Sequence, residues 1–250
     1  MKLHPKSDRN LIGLMLFILI LAASPAKAQV FVDASASGTN DGSSWTNAYT
    51  DLNQALSNTS SGEIWVASGT YRPTTCNPCT DTDRQIAFEI PPDVQLYGGF
   101  NGSETALSQR DFELNTTILS GDIGVPVDSI DNSYRVLIAE NSTFSTVLDG
   151  FIIEEGNADG SFGQSSGGGL LLDANPMGTA HMRVRNCSFL NNYAGGGGAV
   201  AIDCVLGGQS EALFYNCHFM GNTASLGVVS SGAGIFIQGN SSAEIRPQII

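Results

Sequence analysis

The sequence predicts an all-β solenoid of stacked parallel strands, and three observations carry that prediction. A nine-residue phrase occurs twice, thirty residues apart: Asn186-Cys187-Ser188-Phe189-Leu190-Asn191-Asn192-Tyr193-Ala194, then Asn216-Cys217-His218-Phe219-Met220-Gly221-Asn222-Thr223-Ala224, with five of nine positions identical. A fainter copy, Gly150 to Ala158, keeps the apolar positions and the terminal Ala but carries Gly156 where the others have the second Asn. Each copy is followed by a glycine cluster that opens an apolar run: Gly167-Gly168-Gly169-Leu170-Leu171-Leu172, Gly196-Gly197-Gly198-Ala199-Val200-Ala201-Ile202, and Gly232-Ala233-Gly234-Ile235-Phe236-Ile237. Self-similarity at this period marks a stacked repeat architecture.

The apolar runs are too short for helices and read as strands. Propeller blades are disfavoured, because no Asn-Gly hairpin turn separates the runs. In a parallel solenoid each strand lies about 4.8 Å from its equivalent in the next coil. Phe189 is then expected near Phe219, and Asn192 on Asn222. Stacked Asn side chains hydrogen-bond along such a ladder and tolerate the left-handed backbone of a sharp corner; the glycine clusters serve the opposite corner.

The pairing of F-x-x-N at Phe189 to Asn192 and Phe219 to Asn222 with G-G-A-V at Gly197 to Val200 resembles the repeat of chlamydial polymorphic outer-membrane proteins. It is similar also to related bacterial surface proteins with right-handed parallel β-helices of the pectin-lyase type. A second stretch strengthens the resemblance. Phe31-Val32-Asp33 through Gly38, Asn40 to Trp45, and Ile64-Trp65-Val66-Ala67 with Gly69-Thr70-Tyr71, resemble the N-terminal opening of secreted β-helix proteins of Bacteroidetes-like bacteria. Leu96 to Phe100, Gln109 to Phe112, Thr117 to Asp122 and Asp131 to Tyr134 extend it. The resemblance implies a right-handed, pectin-lyase-like β-helix on a cell surface.

Taken in order, Lys2, Lys6 and Arg9 precede an apolar segment from Leu11 to Ala23, and Ala26-Lys27-Ala28 offers small residues for a signal peptidase. Residues 1–28 are therefore expected to be a secretory signal. A transmembrane anchor is the alternative, but the apolar stretch falls short of the ~20 residues that span a bilayer, and no transmembrane span is expected once the signal is removed. Residues 29–61 read as an N-terminal strand, Val30 to Val32, a polar turn, and a short amphipathic helix within Asn47 to Leu56, capped by Asn47 or Thr46. That helix is expected to cover the lower end of the solenoid. Residues 62–250 read as the parallel β-helix, beginning with a strand that breaks at Gly69. The stop at Ile249-Ile250, after a strand at Ala243 to Ile245 and without a recognisable cap, is read as a truncated C-terminus.

Four of the eleven basic residues and one of the twenty-four acidic ones fall within residues 1–28, leaving seven against twenty-three and a net charge of −16. No lysine remains. Such a surface repels nucleic acid and anionic lipid, so nucleic-acid binding is disfavoured.

Strands from Phe88 onward come at irregular intervals, which sends long loops out of the early coils. Insertions in solenoids collect on one face and often form the binding surface, making residues 72–88, 99–115 and 120–134 the candidates. In the first, Cys76 and Cys79 read as a local disulfide in an exported chain, with free thiols or a redox pair as alternatives; zinc lacks a second ligand pair. Cys187, Cys204 and Cys217 read as buried small apolar residues, with a Cys187–Cys217 bridge between coils as the alternative. Asp122, Asp128 and Asp131 could supply hard oxygens to calcium, although solvated loop carboxylates are the commoner outcome. The calcium-binding G-G-x-G-x-D repeat is absent, because Val200 stands where Asp is needed.

The fold also hosts polysaccharide lyases and glycoside hydrolases. A hydrolase needs acidic residues paired on one strand face, and a lyase needs a cation and a base. No Asp-Asp, Asn-Thr-Asp or Gly-His-Gly occurs. His181 and His218 are expected in structural or surface roles, His218 facing outward. Arg183 and Arg185 share a strand face that suits an acidic sugar or a partner carboxylate, although solvated charges are the plainer reading. Asp149 and Glu154 suggest nothing specific. Six N-x-[ST] sequons, at Asn58, Asn101, Asn115, Asn141, Asn186 and Asn240, do not identify the host. The sequence therefore points to a secreted or cell-surface scaffold for adhesion or for glycan or protein contact, with no catalytic, cofactor or metal residue assigned. A lyase or hydrolase of the same fold is the alternative.

Overall fold

Thirty-residue periodicity becomes a parallel β-solenoid of about six turns. The computed structural model describes residues 1, 29–74, 84–161, 163–204, 207–225, 232–239, 244–245 and 248–249. The predicted signal from residue 2 to 28 lies outside the described residues, as do Cys76 and Cys79.

Three sheets run the length of the molecule, and every strand pairing in them is parallel. The first sheet stacks Gln29–Val32, Gly62–Ala67, Val94–Phe100, Val147–Asp149, Met182–Arg185, Ala212–Tyr215 and Gln248–Ile249 in chain order. The second stacks Gly69–Tyr71, Thr117–Ser120, Ile152–Glu154, Ser188–Leu190 and His218–Met220; the third stacks Phe88–Glu89, Leu137–Glu140, Leu170–Ala174, Val200–Cys204 and Ile235–Gly239. Between the second and third, short strands Asn157–Ala158, Tyr193–Ala194 and Thr223–Ala224 close the circuit.

The register follows the repeat. Phe189 pairs with Ile153 on one side and Phe219 on the other, and Leu170 pairs with Leu137 and Val200. Alternation along each strand sends one set of residues inward. Ile64, Leu96, Leu148, Val184 and Phe214 come from the first sheet, Leu119, Ile153 and Phe189 from the second, and Leu137, Leu172 and Ile202 from the third, all in one buried cluster. The Phe189 and Phe219 rings stack at 5.2 Å between centroids and 5° between planes, the aromatic ladder that the repeat predicts.

Asn192 is fully buried and completely used. Its Oδ1 accepts from the Gly156 N–H at 3.0 Å, its Nδ2 donates to the Ile153 carbonyl at 3.0 Å, and Nδ2 and the Asn192 N–H both donate to Asn222 Oδ1 at 3.0 Å. Asn222 in turn donates to the Phe189 carbonyl. The coil lacking this Asn has Gly156, whose Cβ, were it present, would sit 1.9 Å from the Gly168 carbonyl oxygen. The stacked Asn residues are not the left-handed ones, contrary to expectation. Positive φ belongs to the preceding residue, Glu155 (61°), Asn191 (53°) or Gly221 (68°), and to the head of the phrase, Gly150 (86°), Asn186 (49°) or Asn216 (51°). The two jobs assigned to one Asn are split between neighbours: turning the corner, and bonding across coils.

Other expectations shift locally. The helix occupies Leu52–Ser57, with Asp51 as the cap accepting from the Asn53 N–H at 2.7 Å. Asn47 is engaged instead in the preceding turn, where its Oδ1 accepts from the Thr39 N–H, and Tyr49 makes an isolated β-bridge to Val32. Leu52, Ala55 and Leu56 are buried in the central cluster. The first break falls at Ser68, and Gly69, at φ 147°, opens the second sheet. Insertions leave at two corners rather than one face. The segments around Arg72, Arg84 and Asp122 share the corner between the second and third sheets, where Arg72 binds the Asp122 carbonyl and Arg84 binds the carbonyls of Asn132 and Asn157. Residues 99–115 leave the corner between the first and second.

Asn192→Ala is expected to cost about 2–3 kcal/mol, since it orphans buried backbone groups of two strands. Melting followed by circular dichroism should fall by roughly 5–10 °C for a chain of this size. Asn191→Gly, at the left-handed position that Gly221 fills one coil later, should change it little.

Candidate functional site

The corner between the first and second sheets is where side-chain chemistry collects outside the core. The chain turns there on residues with positive φ, and a polar ladder runs along the turns. Asn216 Nδ2 donates to Asn186 Oδ1 at 2.8 Å, and Asn186 Nδ2 donates to Asp149 Oδ1 at 2.8 Å. Asp149 Oδ1 also receives Arg110 at 2.8 Å, both side chains being almost wholly buried. Arg110 further donates to the carbonyls of Gly98 and Asp149 and lies over the Tyr97 and Phe112 rings. A buried pair of this kind, with its remaining donors satisfied, fixes geometry more surely than it adds stability. Here it clamps the 99–115 loop to the solenoid wall. Gly99, at φ 94°, permits the approach: a Cβ there would lie 2.7 Å from the Phe112 Cα.

The clamped loop makes one wall of a groove of about 330 Å³. Phe112 and Glu113 stand on the loop side, while Ile152, Ser188 and His218, consecutive rungs of the second sheet, form the floor beside Asn186 and Asn216. The lining joins one aromatic ring to several hydrogen-bonding side chains, a composition that receives a polar ligand without a deep pocket. His218 faces outward, as expected. Asp149, which suggested nothing from sequence, is the anchor of the clamp, and Asn186 is a corner residue whose amide is occupied.

A second constellation lies on the outer face of the third sheet. Glu140, Asp173 and Asp203 are register partners in three successive coils. Burial raises the Asp173 carboxyl above its ordinary range, with Asp203 and Glu140 adding repulsion and Arg135 opposing; burial likewise raises Asp203, and Arg135 opposes. Asp203 Oδ1 is buried without a hydrogen-bond partner among the described residues. The acidic pair whose absence argued against a hydrolase is thus assembled by stacking. Its signal was present in the sequence: Asp173 and Asp203 each end an apolar run opened by a glycine cluster, thirty residues apart. Of the groove wall, Phe112 belongs to the Gln109 to Phe112 stretch that carries the resemblance, and Glu113 has no signal finer than membership of a long loop.

The remaining candidates separate. Asp122 faces Arg72 at 3.7 Å, Asp128 accepts from the Ile130 N–H, and Asp131 accepts from the Val125 N–H. The loop does not gather them as calcium ligands, and among the described residues no group of three or more His, Cys, Asp or Glu side chains is placed to hold a metal ion. Glu154 is raised by burial, then by Glu155, with Arg72 opposing. His181 stacks on Phe144 at 4.0 Å, its Nδ1 accepts from the Glu211 N–H, and burial lowers its pKa. Cys187, Cys204 and Cys217 are free thiols, so the Cys187–Cys217 bridge is not formed; Cys187 and Cys204 are buried and Cys217 partly so. Burial raises all three thiols, Cys204 to about 11. No helix among the described residues is long and apolar enough to cross a membrane.

A carboxyl whose folded pKa exceeds its unfolded value binds protons more tightly when folded, so stability falls as pH rises through that window. Asp203→Asn removes this penalty and should raise the melting temperature at pH 7 by about 1–2 °C, a modest figure because the carboxyl is partly solvated. Below pH 4 the difference from the parent should vanish, as read by circular dichroism melts across pH.

No protein-family model, curated protein or solved structure matches the chain.

Proposed function

We propose that this chain is an exported, surface-displayed β-helical scaffold that contacts an extracellular glycan or surface protein through the groove at its first corner. The observation that carries the reading is the groove itself, which Phe112 lines together with Ser188, His218 and Asn216. A rigid wall holding an aromatic face against a row of neutral donors and acceptors suits sugar hydroxyls, which need stacking and directional hydrogen bonds together. The signal-like residues 1–28, the acidic lysine-free remainder and the outer-surface resemblance of the repeats support export and display, with adhesion as the role and nucleic acid disfavoured as partner. In this reading the coils supply stiffness and the 99–115 loop supplies the contact.

A second reading rests on a different place. Asp173 and Asp203, paired across coils with raised pKa values, fit the general acid and base of a glycoside hydrolase.

One experiment addresses both. Purified residues 29–250 are screened against a panel of immobilised neutral and acidic glycans, and the bound glycans are then assayed for new reducing ends. Retention of a glycan by the parent, weakened at least tenfold by Ser188→Trp at unchanged melting temperature, is the expected result. Retention unaffected by Ser188→Trp removes the groove from the account, and reducing ends that vanish in Asp173→Asn transfer the function to the acidic ladder.

A further inference from the structure

The outer surface of the first sheet changes character along the molecule. Over the early coils it is covered: Trp65, Tyr97, Phe100 and Val147 form a second buried cluster, against which the neighbouring rung Phe31 and the loop residues Trp45 and Leu107 pack, with Arg110 clamped at its margin. From Met182–Arg185 onward no such roof is present among the described residues. Arg183 and Arg185 point from one strand to the same outer side, and their register partners in the following coil are Leu213 and Tyr215. Tyr215 is 51 % exposed, and Phe144, stacked on His181 at the other margin, is 47 % exposed.

The charges on this face are out of place for such an acidic chain. Arg72, Arg84 and Arg110 are ion-paired with Asp122, Asp159 and Asp149. Arg135 donates to the carbonyls of Ser166 and Gly163. Arg183 donates to the Phe144 carbonyl, and neither Arg183 nor Arg185 has a carboxylate partner among the described residues. Asp149, the rung opposite Arg185, is already taken by Arg110 and Asn186. Two guanidiniums two residues apart on a strand are separated by roughly 7 Å at their Cα atoms, and each can fork onto an oxyanion.

We propose that Arg183 and Arg185, flanked by the exposed rings of Phe144 and Tyr215, form a binding face for an anionic polysaccharide, one bearing sulfate or carboxylate groups along its chain. Charge complementarity selects the anion, and the flat, unroofed sheet selects a polymer lying along it over a side chain needing a pocket. The rings at both margins give sugar faces something to stack on. At physiological ionic strength the screening length is about 8 Å, so distant carboxylates weigh little on a ligand here, and Asp149, one rung away, is already neutralised by Arg110. The proposal does not rest on the groove.

The test uses residues 29–250 and dextran sulfate as the probe, with uncharged dextran of the same size as control, read by affinity electrophoresis or surface plasmon resonance at 0.15 M salt. Dextran sulfate should bind and dextran should not, and Arg183→Gln with Arg185→Gln should weaken binding at least tenfold. Arg183→Lys with Arg185→Lys should recover part of it, and Ser188→Trp in the groove should leave it unchanged. Undiminished binding by the Gln pair, binding abolished by Ser188→Trp, or poly-glutamate preferred to dextran sulfate would each overturn the proposal. A folded Gln pair, verified by an unchanged circular dichroism melt, keeps a loss of binding attributable to the face.

Discussion

Each coil is held by the one beneath it through parallel, in-register pairing, and the rest of the molecule depends on that constraint. A parallel ladder satisfies backbone groups only between neighbouring coils, so the interior must make every coil choose the same register. Phe189 over Phe219 fills space without choosing strictly. Asn192 chooses, because its amide bonds the Ile153 carbonyl below and the Asn222 oxygen above while accepting from Gly156. A slip of one residue turns every inward side chain outward and leaves those buried groups unpaired.

The same constraint places chemistry on the outside. Residues that the sequence separates by a full coil become neighbours about 4.8 Å apart, which is how Asp173 meets Asp203 and how Asn186 meets Asn216. Insertions decorate the corners without disturbing the ladder, and the one that matters most is pinned by Arg110 on Asp149. The pin serves two ends. It roofs the early part of the first sheet and raises the groove wall, leaving the later coils open at Arg183 and Arg185.

Much of the fold was legible because a repeat in sequence is a repeat in space. The Phe and Asn ladders follow from the two phrases beginning at Asn186 and Asn216, and the long loops from the irregular spacing of strands after Phe88. What was not legible depends on choices between equivalent chemistries. Either of two adjacent Asn residues can turn a corner, and only the coil path assigns that turn to Asn191 and the cross-coil bond to Asn192. The helix starts only after Asp51 because Tyr49 is held by a β-bridge to Val32. The acidic ladder is silent in the local sequence for a different reason: a solenoid makes its pairs a coil apart, so Asp173 and Asp203 are never neighbours along the chain.

The register itself can be measured. Cysteines placed at Ser188 and His218 occupy facing outward positions with Cα atoms at strand spacing, inside the range a disulfide spans. Under mild oxidation the Ser188→Cys, His218→Cys chain should form that crosslink rapidly and retain its melting temperature, as read by peptide mapping with mass spectrometry. A control pairing Ser188→Cys with Met220→Cys should not. Equal crosslinking of the two pairs, or none in the first, would contradict the stacked register from which the groove, the acidic ladder and the arginine face all follow.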